Sequence, residues 1–300
     1  ALYGSRGANG VIMITTKKGS SSAGKGKRSL GIEYNGAATF SSVLRMPEFQ
    51  NQFGQGWDGN HWLDENGSWG PEFDDDKRER VYGRVVDNSQ LIAPFEPLEN
   101  NIRDFFDRGS MFQNSIGING GNENSSFYAS YSNVSHDGIY PGAVDVYDRN
   151  TISLKAQTKI DKLTVSGGVN MALTAGKFVP TGQGQEGVYN NIMQLPRNMS
   201  VVDMEDYDAK FYSIEDYFTA YGVTNPYYVV NENGNNYNGS KIFGSLQASY
   251  EITDNLNAMY RFGYDLNDNI IHNHRAILLP QGVNSGSVDD PGFVSEQTLG

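Results

Sequence analysis

The strongest regularity in this chain is an apolar residue at every second position, confined to separate blocks. Leu30, Ile32 and Tyr34 open the pattern. Phe112, Asn114, Ile116 and Ile118 share one phase, and Phe127, Ala129 and Tyr131 follow the turn-like segment Gly120–Ser125. Ile152, Leu154, Ala156, Thr158 and Ile160 alternate with Thr151, Ser153, Lys155, Gln157 and Lys159. Leu163, Val165, Gly167, Val169, Met171 and Leu173 continue after Asp161-Lys162. Ile242, Gly244, Leu246, Ala248, Tyr250 and Ile252 form the next block, and Leu256, Ala258, Tyr260, Phe262 and Tyr264 the last. Period two sends successive side chains to opposite faces, so each block predicts a strand. Each is about ten residues long, the length that crosses a bilayer at barrel tilt. Val11–Thr16 reads as a buried strand. Between Ser41 and Ser110 the periodicity fades, apart from a short helix predicted over 100–107 with Ile102, Phe105 and Phe106 on one face.

The connections carry separate information. Gly120–Ser125, Asp161-Lys162 and Thr253–Asn255 are short, whereas 135–148, 176–240 and everything after Asn269 are long. Short and long alternate, as in a membrane barrel with tight turns at one rim and large loops at the other. A β-sandwich has no reason to keep its short turns at one end, so the pattern favours the barrel over the sandwich.

Composition agrees with both and excludes other classes. The chain has 35 Gly, 18 Tyr and 15 Phe, and no apolar run approaches a spanning helix. Mean hydropathy of −0.52 is compatible with a barrel, in which only alternate residues meet lipid. A net charge of −12 argues against a nucleic-acid partner, which needs a basic face. With no Cys there is neither a disulfide framework nor a thiolate metal site. Ala1 and Gly300 read as interior points of a longer chain, so the lack of a leader carries no weight.

The first nineteen residues add a motif. Tyr3-Gly-Ser-Arg-Gly-Ala-Asn-Gly-Val-Ile-Met-Ile-Thr-Thr-Lys-Lys-Gly19 resembles, almost without a break, the segment that closes the plug domain in SusC/RagA-like TonB-dependent outer-membrane transporters. Looser similarity continues through Pro47–Gly56, Ser68–Pro71, Asn101–Gly109, Asn114–Gly121, Phe127–Ser132, Gly138–Pro141 and Asp148–Asn150, covering most of residues 1–175. The resemblance implies an all-β fold: the last plug strand, then part of an antiparallel outer-membrane β-barrel with long external loops. Residues 1–19 would end the plug, 20–29 link it, and 30–300 supply some seven or eight of about 22 strands. It also implies energised import, most often of a glycan or oligosaccharide and in RagA-like members of a peptide. The implied partners are a SusD-like surface lipoprotein as lid, TonB acting through a segment before Ala1, and outer-membrane lipid. No cofactor is implied. Tyr3, Gly4, Ser5, Arg6, Asn9 and Gly10 carry the plug motif, with Arg6 read as a buried structural ion pair rather than a ligand contact.

Several features invite chemistry. Gly19–Gly26 almost spells a phosphate loop, but Gly26 stands at the Mg²⁺-binding hydroxyl position and a strand pattern follows, so a solvated linker is favoured. Trp57, Trp62 and Trp69 lie close to Asp58, His61, Asp64 and Glu65. A self-packed tryptophan core is the first reading, and a glycan-facing surface the second. Tyr217 and Tyr221, with Ile214 and Phe218, fall on one face of a helix expected after Ser213. That helix is read as packing, with contact to substrate or lid as the alternative. His272 and His274 share a strand face without a convincing third metal ligand. The acidic runs Asp74–Asp76 and Asp289-Asp290 read as solvated loop. No nucleophile–base arrangement stands out, so no enzyme is expected and no catalytic residue is assigned.

The polar phase supplies the better candidates. Lys155, Gln157, Lys159, Lys241, Gln247, Glu251, Asn257 and Arg261 are expected to line a polar lumen, with Tyr250, Tyr260, Phe262 and Tyr264 facing lipid. A secreted adhesin or lectin without transport is the alternative from another class. It would bury the apolar phase against a second sheet.

Overall fold

The structure, a computed structural model, describes residues 29–63, 65–81, 87–181, 187–209, 211, 224–277 and 292–299. In chain order the elements are β1 (Ser29–Ser41), β2 (Arg78–Arg80), β3 (Ile92–Pro94), α1 (Asn101–Asp104), β4 (Gly109–Gly121), β5 (Ser125–Asp137), β6 (Val146–Ile160), β7 (Leu163–Phe178), α2 (Val188–Met193), α3 (Pro226–Glu232), β8 (Gly234–Thr253), β9 (Leu256–Arg275) and β10 (Phe293–Leu299). Eight of these strands form a single antiparallel sheet in the order β1-β4-β5-β6-β7-β8-β9-β10, while β2 and β3 pair separately. Each large strand therefore lies beside its successor in the chain, the up-and-down connectivity of a membrane barrel wall. The sheet is not closed, since β1 and β10 are its two edges.

Register turns the period-two pattern into two faces, because directly paired residues project to the same side. One row runs Ile32, Ile118, Ala129, Leu154, Val169, Gly244, Tyr264 across seven strands. The next row, one residue along, runs Glu33, Gly117, Ser130, Ser153, Asn170, Phe243, Asp265 on the opposite side. Among the described residues no second sheet covers the apolar face. Leu154 and Phe262 are 46% and 56% exposed there. A sandwich would have buried them.

The apolar band is shorter than the strands. On β9 it runs from Ala258 to Leu266, about nine residues, which is what a tilted strand needs to cross hydrocarbon. Yet β8 and β9 each run for 20 residues, twice the length expected from the alternation. Beyond the band the ladder continues with polar residues on both faces, so hydrogen bonding persists where the hydrophobic signal stops. The limit is marked by a row of Asn114, Asn133 and Asn150. Tyr34 donates to Asn114 Oδ1 at 2.7 Å and Tyr131 to Asn150 Oδ1 at 2.6 Å. These rings sit at the edge of the apolar band with their hydroxyls turned to the polar side, the place where amphipathic aromatics are favoured.

Turn lengths alternate as expected. Residues 122–124, 161–162 and 254–255 close one rim, and Glu251 N donates to Lys162 O at 2.9 Å to tie two of these turns together. The other rim carries 42–108, 138–145, 179–233 and 276–292. The second of these is shorter than predicted because β5 and β6 zip further up.

Packing is concentrated at that rim. Among the described residues, every buried apolar side chain lies outside the eight-stranded sheet. Ile102, Phe105, Val144, Val179, Val188, Ile192, Met199, Met204, Tyr227 and Val230 form one cluster drawn from three loops. Short helices fill this cap. α1 is a single turn inside the predicted 100–107 span, with Ile102 and Phe105 buried. α3 starts at Pro226, whose fixed φ suits the first helical position, behind an Asn225 cap that accepts from Tyr227 N at 2.9 Å.

Candidate functional site

The sheet brings the eight polar-phase candidates to one face. Tyr128, Lys155 and Gly168 are consecutive partners, as are Ser126, Gln157, Ser166, Gln247 and Arg261. Lys159 Nζ lies 2.9 Å from Glu251 Oε1, and Glu251 pairs with Asn257. Arg261 donates through Nε, at 2.9 Å, and through Nη2 to Gln247 Oε1. Lys241 Nζ is 3.9 Å from Asp265, and Lys155 Nζ stands 5.9 Å from the Tyr128 ring centre. The face is thus a lattice of charged and amide groups bonded across strands. Tyr250, Tyr260, Phe262 and Tyr264 all project from the other face.

Above this face stands the cap. Residues 50–72 form a compact hydrogen-bonded loop: Gly54 N donates to Pro71 O, Trp69 N to Gly56 O and Gly59 N to Trp69 O. Its turn uses Asp58 and Gly59, both at positive φ, between Trp57 and Asn60, whose backbones exchange hydrogen bonds at 3.1 and 2.9 Å. The tryptophans do not pack on one another as a loop core. Trp57, Trp62 and Trp69 are 58%, 54% and 70% exposed. The core of this loop is built instead from Phe95, which meets His61 edge-on at 5.6 Å and Phe73 at 5.0 Å, and from the fully buried Gln55. The Asp58-Gly59 turn and the glycine contacts bring backbone against backbone, leaving no interior room for indoles. Of their acidic neighbours, Asp64 lies outside the described residues.

A second centre, not anticipated from sequence, joins the loops. Arg197 donates from Nε to Gln50 O at 2.9 Å and from Nη2 to Asn51 Oδ1 at 2.6 Å, with its guanidinium 5.2 Å from the Phe49 ring centre. Burial lowers its pKa from the ordinary arginine value, and Glu99 opposes that shift. Next to it, Asn198 Oδ1 accepts from Gln55 N at 2.8 Å. The loop 179–233 thereby fixes the floor of the tryptophan loop. Two tyrosines in the cap, Tyr207 and Tyr227, are pushed up to about 12, chiefly by desolvation. Tyr207 also donates to Glu232 at 2.9 Å. The signal for this centre was a run of amide residues and one arginine in a region without periodicity, which pattern reasoning does not resolve.

Tyr3, Gly4, Ser5, Arg6, Asn9 and Gly10 lie outside the described residues, as do Tyr217, Tyr221, the helix expected after Ser213, and Asp289-Asp290. His272 and His274 share a face of β9, with His272 Nδ1 3.3 Å from Glu296. Among the described residues no three metal-ligating side chains converge.

No family model matches the chain. In sequence it is similar to the TonB-dependent receptor P39 of Formosa agariphila, 25% identical over 205 residues, covering 68% of this chain and 17% of that protein. In fold it is similar to a chain in a structure of the RagAB peptide importer in its "closed-closed" state. That likeness has a TM-score of 0.61 at 19% identity, over 92% of this chain and 31% of the other. The chain thus spans less than a third of each. The receptor similarity in sequence and the importer similarity in fold agree with the resemblance carried by Tyr3–Gly19: the chain resembles a stretch of a SusC/RagA-like TonB-dependent transporter.

Proposed function

We propose that this chain supplies wall and outer cap to an active outer-membrane importer of oligosaccharides. Residues 1–19 are read as plug, 20–29 as linker and 30–300 as barrel. The polar face lines the transport path and the apolar face meets lipid. The supporting observation is the division of one sheet into these two faces along the apolar band, where charged residues stand in register on one side only. Lys155, Gln157, Lys159, Lys241, Gln247, Glu251, Asn257 and Arg261 are the wall residues in this reading. Trp57, Trp62 and Trp69, exposed on a loop held by backbone hydrogen bonds, favour a sugar over a peptide, because indole faces stack on sugar rings. Tyr217 and Tyr221 are read as further candidates for contact with substrate or lid. A SusD-like lipoprotein closes the cap from outside, and TonB supplies energy from the periplasmic side. The role is transport and not catalysis.

The peptide reading stands second, carried by the fold likeness to the RagAB peptide importer. Uptake of fluorescent oligosaccharides and of fluorescent oligopeptides by cells with and without the gene separates the two. Saccharide uptake is expected to vanish on deletion and on collapse of the proton-motive force. Loss of peptide uptake alone would install the peptide reading. Loss of neither would sink import altogether.

A further inference from the structure

The polar face is not uniform. Near its loop-side end it holds a depression of about 460 Å³ whose composition departs from the acidic character of the chain. Arg149 on β6 and Lys241 on β8 flank it, about 12 Å apart between backbones, two strand spacings across and two residues along. Between them the floor is made of small side chains. Arg149 pairs with Thr174 and Thr174 with Gly239, while Ala172 pairs with Lys241. Tyr147, Phe178 and Tyr237 rise along the upper border, and Asn267 and Asn269 lie on the β9 side.

Glycines in the floor make room for two aromatic rings. A Cβ on Gly239 would sit 2.5 Å from the Tyr237 hydroxyl and 2.8 Å from Asn269 Oδ1. Tyr237 therefore lies along the sheet over Gly239, its hydroxyl bonded to Asn269 Oδ1 at 2.5 Å. Phe178 covers Gly176 in the same way, with its ring tip 2.8 Å from where a Cβ would be. Two aromatic rings are thus held at the border of a shelf whose flanks are cationic.

Charge decides the ligand class. Among the described residues no carboxylate lines the depression, and Arg149 has no ion-pair or hydrogen-bond partner for its side chain. Lys241 has a 3.9 Å contact to the exposed Asp265 and stands 5.9 Å from the Phe243 ring centre. Two cations facing one gap in a protein of net charge −12 leave an unbalanced positive spot. A guanidinium fork beside an ammonium suits an anionic oxygen pair, and the flanking rings suit an apolar or sugar-like body attached to it.

We propose that the Arg149–Lys241 depression is a subsite for a carboxylate carried by the transported molecule, either an acidic sugar unit or a peptide carboxy-terminus. The subsite rests on the reading that the polar face lines the transport path. Arg149 holds the carboxylate, Lys241 adds charge from the opposite side, and the Tyr237–Phe178 border packs against the body of the ligand.

Titration calorimetry on the full-length transporter that carries this chain tests it. Four probes are used: oligogalacturonate, a neutral galactose oligomer of equal length, and one pentapeptide with a free and with an amidated carboxy-terminus. The acidic member of one pair is expected to bind tighter than its neutral counterpart, and the pair that discriminates names the source of the carboxylate. Arg149→Ala and Lys241→Ala are each expected to weaken that acidic probe roughly tenfold or more, as for a lost charge-assisted bond. The neutral partner should stay within about twofold, which also shows that the variants fold. Arg149→Lys should restore part of the loss, and the discrimination should shrink with added salt. Equal binding of acidic and neutral probes, or acidic binding unmoved by both alanine variants, would overturn the subsite while leaving import intact. Absence of binding by all four probes would count against the importer reading itself.

Discussion

Asn101 donates through Nδ2 to the Met199 carbonyl at 2.7 Å, joining two loops that lie 98 positions apart in the chain. The same side chain accepts from Val201 N at 2.7 Å, so one amide satisfies two backbone groups of the distant loop. Asn101, Met199 and Val201 are all buried. Asn101→Leu keeps the volume and removes both bonds, stranding a carbonyl and an N–H, each at a cost of about 1–3 kcal/mol. The expected result is faster hydrogen exchange over 197–204, by roughly tenfold or more, with β5–β7 unchanged. Exchange that rises uniformly along the chain would show that the cap and the sheet unfold as one unit.

The tryptophan loop depends on Gly56. Its φ is +138°, and a Cβ there would sit 1.9 Å from Asn60 O. No rotation of a side chain relieves a clash with backbone, so Gly56→Ala must displace the Trp57–Asn60 turn. The expected outcome is a shifted tryptophan emission and weakened saccharide binding comparable to that of Trp57→Ala, with strand content retained by far-UV circular dichroism. Unchanged emission would mean that the turn is not held by its backbone.

The sheet was legible because one physical rule repeats along it. Residues such as Ile152, Leu154 and Ile160 share the apolar face while Lys155, Gln157 and Lys159 share the other, and alternation records that directly. The rule fails where both faces are wet, which is why the upper half of β9, from Asn267 to Arg275, carried no strand signal. It fails again in the cap. There Val188, Ile192, Met204 and Val230 meet through tertiary contacts between loops, with no period to betray them. The tryptophans were misread for a related reason. Clustering in sequence suggested mutual packing, but the Asp58-Gly59 turn and the Gly54, Gly56 and Gly70 backbone contacts turn the indoles outward. The Arg149–Lys241 depression joins residues of β6 and β8 that only register brings together.

The hairpin loop 138–145 should respond to pH. Burial raises the Asp145 carboxyl above the usual aspartate value, Asp137 adds to this, and His136 opposes it. A raised folded pKa favours the protonated form, so the contribution to stability is present below the ordinary aspartate range and is lost as pH rises through the folded value. The Gly138 amide, which donates to Asp145 O at 2.7 Å, is therefore expected to gain protection as pH falls from 7 toward about 4. Asp145→Asn should raise protection at neutral pH and flatten the profile. A variant that keeps the wild-type slope would assign the dependence to another group.

The two faces make opposite demands on neighbouring positions of β6. Leu154 projects from the apolar side between Ala129 and Val169, near the middle of the band, while Lys155 projects from the polar side between Tyr128 and Gly168. In a bilayer, a cation at the depth of Leu154 must be drawn out of hydrocarbon or carry water with it, at a cost of about 2–4 kcal/mol. Lys155→Leu removes a charge from the polar face and leaves an exposed isobutyl group, a change of roughly 0.5 kcal/mol or less in stability. Urea unfolding of the full-length protein in lipid vesicles measures both. Leu154→Arg is expected to lower stability by several times the change seen for Lys155→Leu. In detergent micelles, which deform around a charge, the gap should narrow. The reverse ranking would mean that the polar face meets lipid, and the assignment of wall and path would have to be inverted.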